Sequence, residues 1–225
     1  MKQNKNLKST ILAVALSLGV GSIASAQQAT TSAPVAPQTA STTDSGTGLL
    51  GSRYLGAGYD YLAISNSSGG PNRADGLEVV YNQPITANLD LGADYSWLRA
   101  RFAGVRETQQ TAELNAVGYT SLDWGKPFAL ASAGWAWSRA AGTNDDSFLY
   151  KVGVGVELPV VKAFSVSPYV DFARATGWNQ SEVDFGVKAE YRVTKQVGVY
   201  GRVQYDSVVH SDNATEFGAG VNYHF

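Results

Sequence analysis

From about Ser52 to the last residue, apolar and polar side chains alternate with a period of two, segment after segment. Leu55, Ala57, Tyr59 and Tyr61 alternate with Tyr54, Gly56, Gly58 and Asp60. Leu89, Leu91, Ala93, Tyr95 and Trp97 alternate with Asn88, Asp90, Gly92, Asp94 and Ser96. The pattern is clearest at Val183, Phe185, Val187, Ala189, Tyr191 and Val193, set against Glu182, Asp184, Gly186, Lys188, Glu190 and Arg192. It ends at Phe217, Ala219, Val221, Tyr223 and Phe225, set against Glu216, Gly218, Gly220, Asn222 and His224. A two-residue period puts successive side chains on opposite faces, so these segments are strands with one apolar and one polar face. Clusters such as Asn66–Asn72 and Asp123–Pro127 mark turns between them. The phase blurs at Val117 to Tyr119, where a bulge is expected, and Pro168 demands a bulge or locally weak pairing. About ten strands of about a dozen residues result, with eight as the alternative, each long enough to cross a bilayer at a tilt.

The first 51 residues lack this period. Lys2, Lys5 and Lys8, the apolar run from Ile11 to Val20, and Ala24-Ser25-Ala26 form the three regions of a secretory signal, with Gln27 as the first mature residue. Residues 27–51 are rich in Ala, Thr, Ser, Gln and Pro and read as a disordered spacer. Cleavage removes three lysines from a chain whose net charge is already −2. No basic patch invites nucleic acid. Mean hydropathy is −0.14, which excludes a bundle of membrane helices but not a barrel, where only alternate residues meet lipid.

Alternation alone also fits a soluble barrel with a solvated exterior. Two features favour the inverse. Glycines 56, 58, 92, 134, 153, 155, 186, 218 and 220 fall mostly on the polar face, where a narrow interior would use them to make room. The apolar face is aromatic at strand ends and aliphatic between. Tyr59, Tyr61, Tyr95, Trp97, Trp135, Trp137, Tyr150, Phe172 and Tyr205 would form one girdle; Tyr81, Phe128, Phe164, Tyr191, Tyr223 and Phe225 would form the other.

A last strand that ends in Phe225, with Tyr223 third from the end, resembles the targeting strand of bacterial outer-membrane β-barrel proteins. With the alternation and the girdles, the chain from Ser52 onward resembles the OmpA-like and porin-like barrels. The resemblance implies an all-β fold, a transmembrane antiparallel up-and-down barrel in the bacterial outer membrane. It also implies Tyr223 and Phe225 as an assembly signal, and contact with outer-membrane lipid, lipopolysaccharide and the barrel-assembly machinery. It places the spacer and the C-terminus, and the connections near Pro84, Gly125, Val161 and Lys195, on the periplasmic side. The connections near Gly69, Gly104, Asn144, Trp178 and His210 are then external and about five to ten residues long.

By parity the interior holds Asp60, Glu78, Asp90, Asp94, Glu113, Lys151, Glu157, Asp171, Glu182, Asp184, Lys188, Glu190, Arg192, Arg202, Asp206 and Glu216. These lumen charges either fill and brace the barrel or line a narrow cation-preferring pore. His210, Ser211 and Asp212 invite comparison with the outer-membrane lipid A deacylases and proteases, but adjacent residues of an extended chain point apart, so no triad is expected. His224 has no cluster of further ligands near it in the pattern. No catalytic residue, cofactor or metal is expected. Arg99, Arg101, Arg106 and Arg139, read as lying in loops, are candidates for lipopolysaccharide phosphate. The expected role is non-enzymatic: structural support of the envelope or surface interaction, with a small porin-type channel as the alternative.

Overall fold

The computed structural model describes residues 48–65, 73–102, 105–140, 142–209 and 212–225. They form ten strands: β1 (Tyr54–Ile64), β2 (Arg73–Thr86), β3 (Leu89–Phe102), β4 (Val105–Tyr119), β5 (Lys126–Ala140), β6 (Thr143–Val161), β7 (Phe164–Ala175), β8 (Gln180–Arg192), β9 (Val197–Val208) and β10 (Ala214–His224). Each pairs antiparallel with its chain neighbour, and β10 pairs with β1 to close the barrel. The expected count of ten therefore holds over eight. The closing seam runs from Tyr54↔His224 to Ile64↔Ala214 without a break. Closure leaves no strand edge, the condition for a sheet to sit in lipid.

The barrel is inside out. Outward residues are apolar and exposed: Leu114 (71 %), Val203 (51 %), Val154, Phe185, Val221 and Leu77 among them. Inward residues are mostly polar and buried. Tyr59, Tyr61, Tyr95, Trp135, Trp137 and Tyr205 face outward toward the end away from the seam's Tyr54–His224 pair; Tyr191, Tyr223 and Phe225 face outward near that pair. An aliphatic band between two aromatic rings matches the interfaces of a bilayer.

Three local expectations change. No bulge occurs at 117–119: β4 keeps one register against β3 and β5 throughout. Val117 and Tyr119 instead turn inward and are buried. Phe128 also leaves the expected girdle. It follows the parity of buried Leu130 and Ser132 and packs with Val117, Tyr119, Leu130 and Leu50 in an apolar cluster inside the mouth. The register irregularities lie at Pro84/Thr86 and Pro159/Val161. Pro168 has the weak pairing expected of it. The β6–β7 ladder passes from Gly155↔Tyr169 to Leu158↔Val166 with no pair for Pro168, although Pro168 pairs with Val187 on its other side. Finally, Arg99, Arg101, Arg106 and Arg139 stand on β3, β4 and β5, not in loops, because these strands run longer than the apolar pattern suggests.

Candidate functional site: the lumen and its mouth

Arg202 is the hub of the mid-lumen. It projects from β9, is 2 % exposed, and reaches three carboxylates on three strands. Its guanidinium donates to Asp60 of β1 at 2.9 Å and to Glu216 of β10, and lies 3.4 Å from Glu78 of β2. Tyr200 donates its hydroxyl to Glu78 at 2.5 Å. Its phenol fits because β1 has glycine beside it: a Cβ at Gly58 would overlap the Tyr200 hydroxyl. Lys188 places its ammonium 4.4 Å from the centre of the Tyr200 ring. Elsewhere the lumen wall is a polar lattice. Asn115 donates to Asp94, Ser132 to Glu113, Tyr169 to Gln204, and Gln204 to Asp206.

A second feature is a row of like charge. Asp171, Asp184 and Asp206 stand directly opposite one another on β7, β8 and β9, with Glu182 two residues from Asp184 on the same wall. All four are buried, as is Lys151 on β6. Like charges in facing positions repel. No group of three or more metal-ligating side chains is placed to hold a metal ion among the described residues.

The mouth at the termini end is occupied by the chain itself. Residues 48–51, the last four of the expected spacer, fold into a turn closed by the Ser52 N–H donating to the Leu49 carbonyl at 3.2 Å. Gly51 holds a positive φ of 80°, open to glycine at little cost. Glu157 accepts the N–H groups of Leu49 (2.6 Å) and Leu50 (3.2 Å), and Asp90 accepts that of Gly51 (2.9 Å). In return Arg192 donates to the Gly48 carbonyl and Lys126 to the Leu50 carbonyl, each at 2.6 Å. The Leu50 side chain is buried in the apolar cluster of the mouth. A cavity of about 60 Å³ remains, lined by Leu49, Leu50, Tyr54, Phe128, Leu130 and Tyr169 among others.

Beside this turn, Ser52 Oγ lies 2.8 Å from His224 Nδ1, and His224 Nε2 lies 3.0 Å from Glu190. The connectivity is that of a serine–histidine–carboxylate relay. Its surroundings are those of a latch. Arg192 donates to Ser52 Oγ at 3.1 Å and pairs with Glu190 at 2.6 Å, so a cation sits on the would-be nucleophile. Asn82 holds the Ser52 carbonyl at 2.8 Å, and Tyr54 packs on the imidazole. The set ties the residues just before β1 to the end of β10 and to β8.

All sixteen residues expected inside the lumen lie on the inner face, fifteen of them buried and Arg192 half-buried. Sequence reasoning misses Glu107, buried beside Arg106 on the part of β4 whose pattern reads as loop, and Lys126 at the mouth. It also missed the turn at 48–51. The one available signal was Leu49-Leu50 between two glycines in an otherwise polar stretch. Tyr223 and Phe225 face outward, their rings 5.2 Å apart, with Arg53 over the Phe225 ring. His210 and Ser211 lie outside the described residues, while Asp212 is buried.

No protein-family model matches the sequence. No curated protein matches it either. Solved structures do share its shape. An outer membrane channel from Pseudomonas putida F1 superposes with a TM-score of 0.50 at 10 % identity, over 85 % of this chain and 100 % of that one. The β domain of the Bordetella autotransporter BrkA gives 0.50 at 13 % identity, over 77 % and 99 %. A closed ten-stranded sheet, apolar outside and charged within, joins these likenesses in one conclusion: the chain has the fold of the bacterial outer-membrane β-barrels.

Proposed function

We propose that this outer-membrane barrel is a closed, non-enzymatic structural element of the envelope. The observation that carries the reading is the occupied lumen. Arg202 gathers carboxylates from three strands in the middle, and the turn at 48–51 fills the mouth. Ten-stranded barrels leave little interior beyond their own side chains. On this reading residues 1–26 direct export and are removed. Residues 27–47 are a periplasmic spacer, so the mouth with the turn faces the periplasm and the opposite end faces outward. Purified protein in a planar bilayer should give no stepwise current; reproducible unitary conductance sinks the reading.

The acidic row favours a second reading, a narrow cation-preferring channel, since clustered carboxylates lower the energy of a passing cation. It requires that same conductance, with a reversal potential displaced toward the cation. The non-enzymatic part has its own check. A fluorophosphonate probe should leave Ser52 unlabelled, and labelling that disappears in Ser52→Ala would restore the relay as chemistry.

A further inference from the structure

Strand register stacks the outward side chains of β2 to β6 into rows. One row reads Val79, Tyr95, Ala112, Trp135, Phe148. The next, further from the mouth, reads Leu77, Trp97, Gln110, Trp137, Asp146. The next reads Asp75, Arg99, Thr108, Arg139, Asn144. Beyond it Arg101 faces Arg106, and Arg73, one step past the Ala74↔Ala100 pair, stands beside Arg101. Five outward arginines thus crown the aromatic ring on adjacent strands. Two outward carboxylates on these rows are engaged: Asp75 pairs with Arg99 at 2.9 Å, and Asp146 accepts from Trp135 Nε1 at 2.9 Å. Among the described residues Arg73, Arg101 and Arg106 form no ion pair. Cations in facing positions repel, so an anion between them would relieve that repulsion.

The same face is recessed below. Ala93, Ala112 and Ala133 form the floor of an outward groove of about 750 Å³ walled by Tyr95, Leu114 and Trp135. An apolar groove in the lipid-facing band, an aromatic ring above it, and an arginine row without ion pairs among the described residues above that follow the order of acyl chain, interface and phosphate in a lipid. We infer that this face seats a phosphorylated lipid of the outer leaflet, a lipid A. Arg73, Arg101 and Arg106 bind its phosphate, Arg139 adds a further donor, and the alanine groove holds an acyl chain. Arginine suits the task because its planar donors match phosphate oxygens in pairs. The inference rests on the orientation proposed above.

The test uses the full chain folded in detergent, with native mass spectrometry of retained lipid. Wild type should retain bisphosphorylated lipid A at least about tenfold better than its dephosphorylated form, the preference expected from one or two charge-assisted contacts. Arg101→Gln/Arg106→Gln should lose that preference, and Arg101→Lys/Arg106→Lys should regain part of it. Ala112→Phe, which fills the groove without touching charge, should weaken both lipids alike. Folding of each variant is read from heat-modifiable gel mobility; the sites face outward, so it should be unchanged. Equal retention by wild type and the glutamine pair overturns the inference, as does displacement by inorganic phosphate. Preference for phosphatidylglycerol over lipid A overturns the outer-leaflet assignment. A wild type silent in bilayers yet indifferent to lipid phosphate would overturn this inference alone and leave the closed barrel standing.

Discussion

Arg202 shows what a single side chain does in the interior of a closed sheet. Asp60, Glu78 and Glu216 are buried and would repel one another, and one guanidinium holds them. Removing one partner of such a set leaves buried charge uncompensated, at about 3–5 kcal/mol. Arg202→Met should therefore lower the urea midpoint of the folded barrel sharply, while Arg202→Met combined with Glu216→Leu should recover part of the loss. A single variant with an unchanged midpoint would show that water, not Arg202, compensates these acids. Parity was enough to read the inward direction of these residues, because the period is two and the strands are regular. Which charges meet was not legible. Asp60 and Arg202 are 142 residues apart, and only closure brings their strands together. Glu107 was lost for the reverse reason: its strand carries arginines on the outside, and arginines read as loop.

At the scale of elements, the unclear phase at Val117 to Tyr119 now has a cause. An apolar residue on the inner face breaks the alternation, and it is there because the mouth has a small apolar core of its own. What fills that core is Leu50, delivered by a segment with no period. The turn is recognised through backbone N–H and C=O groups, which every residue carries, so it leaves almost no trace in composition. Leu50→Asp puts a charge beside Glu157 and Asp90. It should free the turn without unfolding the barrel, making the bonds of residues 48–52 rapidly cleavable by added protease while the β1–β10 core stays resistant. Equal protection in wild type and variant would show that the turn is not held by these contacts. At the same end of the seam, deletion of Phe225 removes the ring under Arg53 and the N–H that donates to the Arg53 carbonyl at 3.1 Å. It should slow insertion far more than any change in the 65–72 or 209–213 connections, measured as the rate of appearance of the fast-migrating folded form.

For the whole molecule the governing fact is the inversion of inside and outside. A soluble protein with Leu114, Val154 and Phe185 exposed would aggregate; in a bilayer these side chains lie in their proper solvent. Val203→Arg, on the lipid face near the middle of β9, should cost roughly 2–4 kcal/mol, whereas Val203→Leu, which keeps the position apolar, should cost little. Vesicle unfolding of the two variants compares these costs directly, and equal costs would contradict the lipid-facing assignment. The class of fold was legible because lipid, like a core, enforces periodicity over the entire sheet. The contacts made inside the lumen were not, because they depend on which long side chains cross a space that no local pattern describes.

The turn at 48–51 has one more effect, on register. Suppose β1 closed against β10 two residues out of place. Every side chain would keep its inward or outward direction, since the period is two. Lipid would meet the same apolar surface, and the alternation could not detect the error. The turn can. It is joined to β1 within three residues, yet its partners Asp90, Lys126, Glu157 and Arg192 belong to β3, β5, β6 and β8. A two-residue slip carries it about 7 Å along the strand, beyond the reach of all four at once. Correct closure alone completes this set of bonds, so the short segment before the first strand serves as the barrel's gauge of its own alignment.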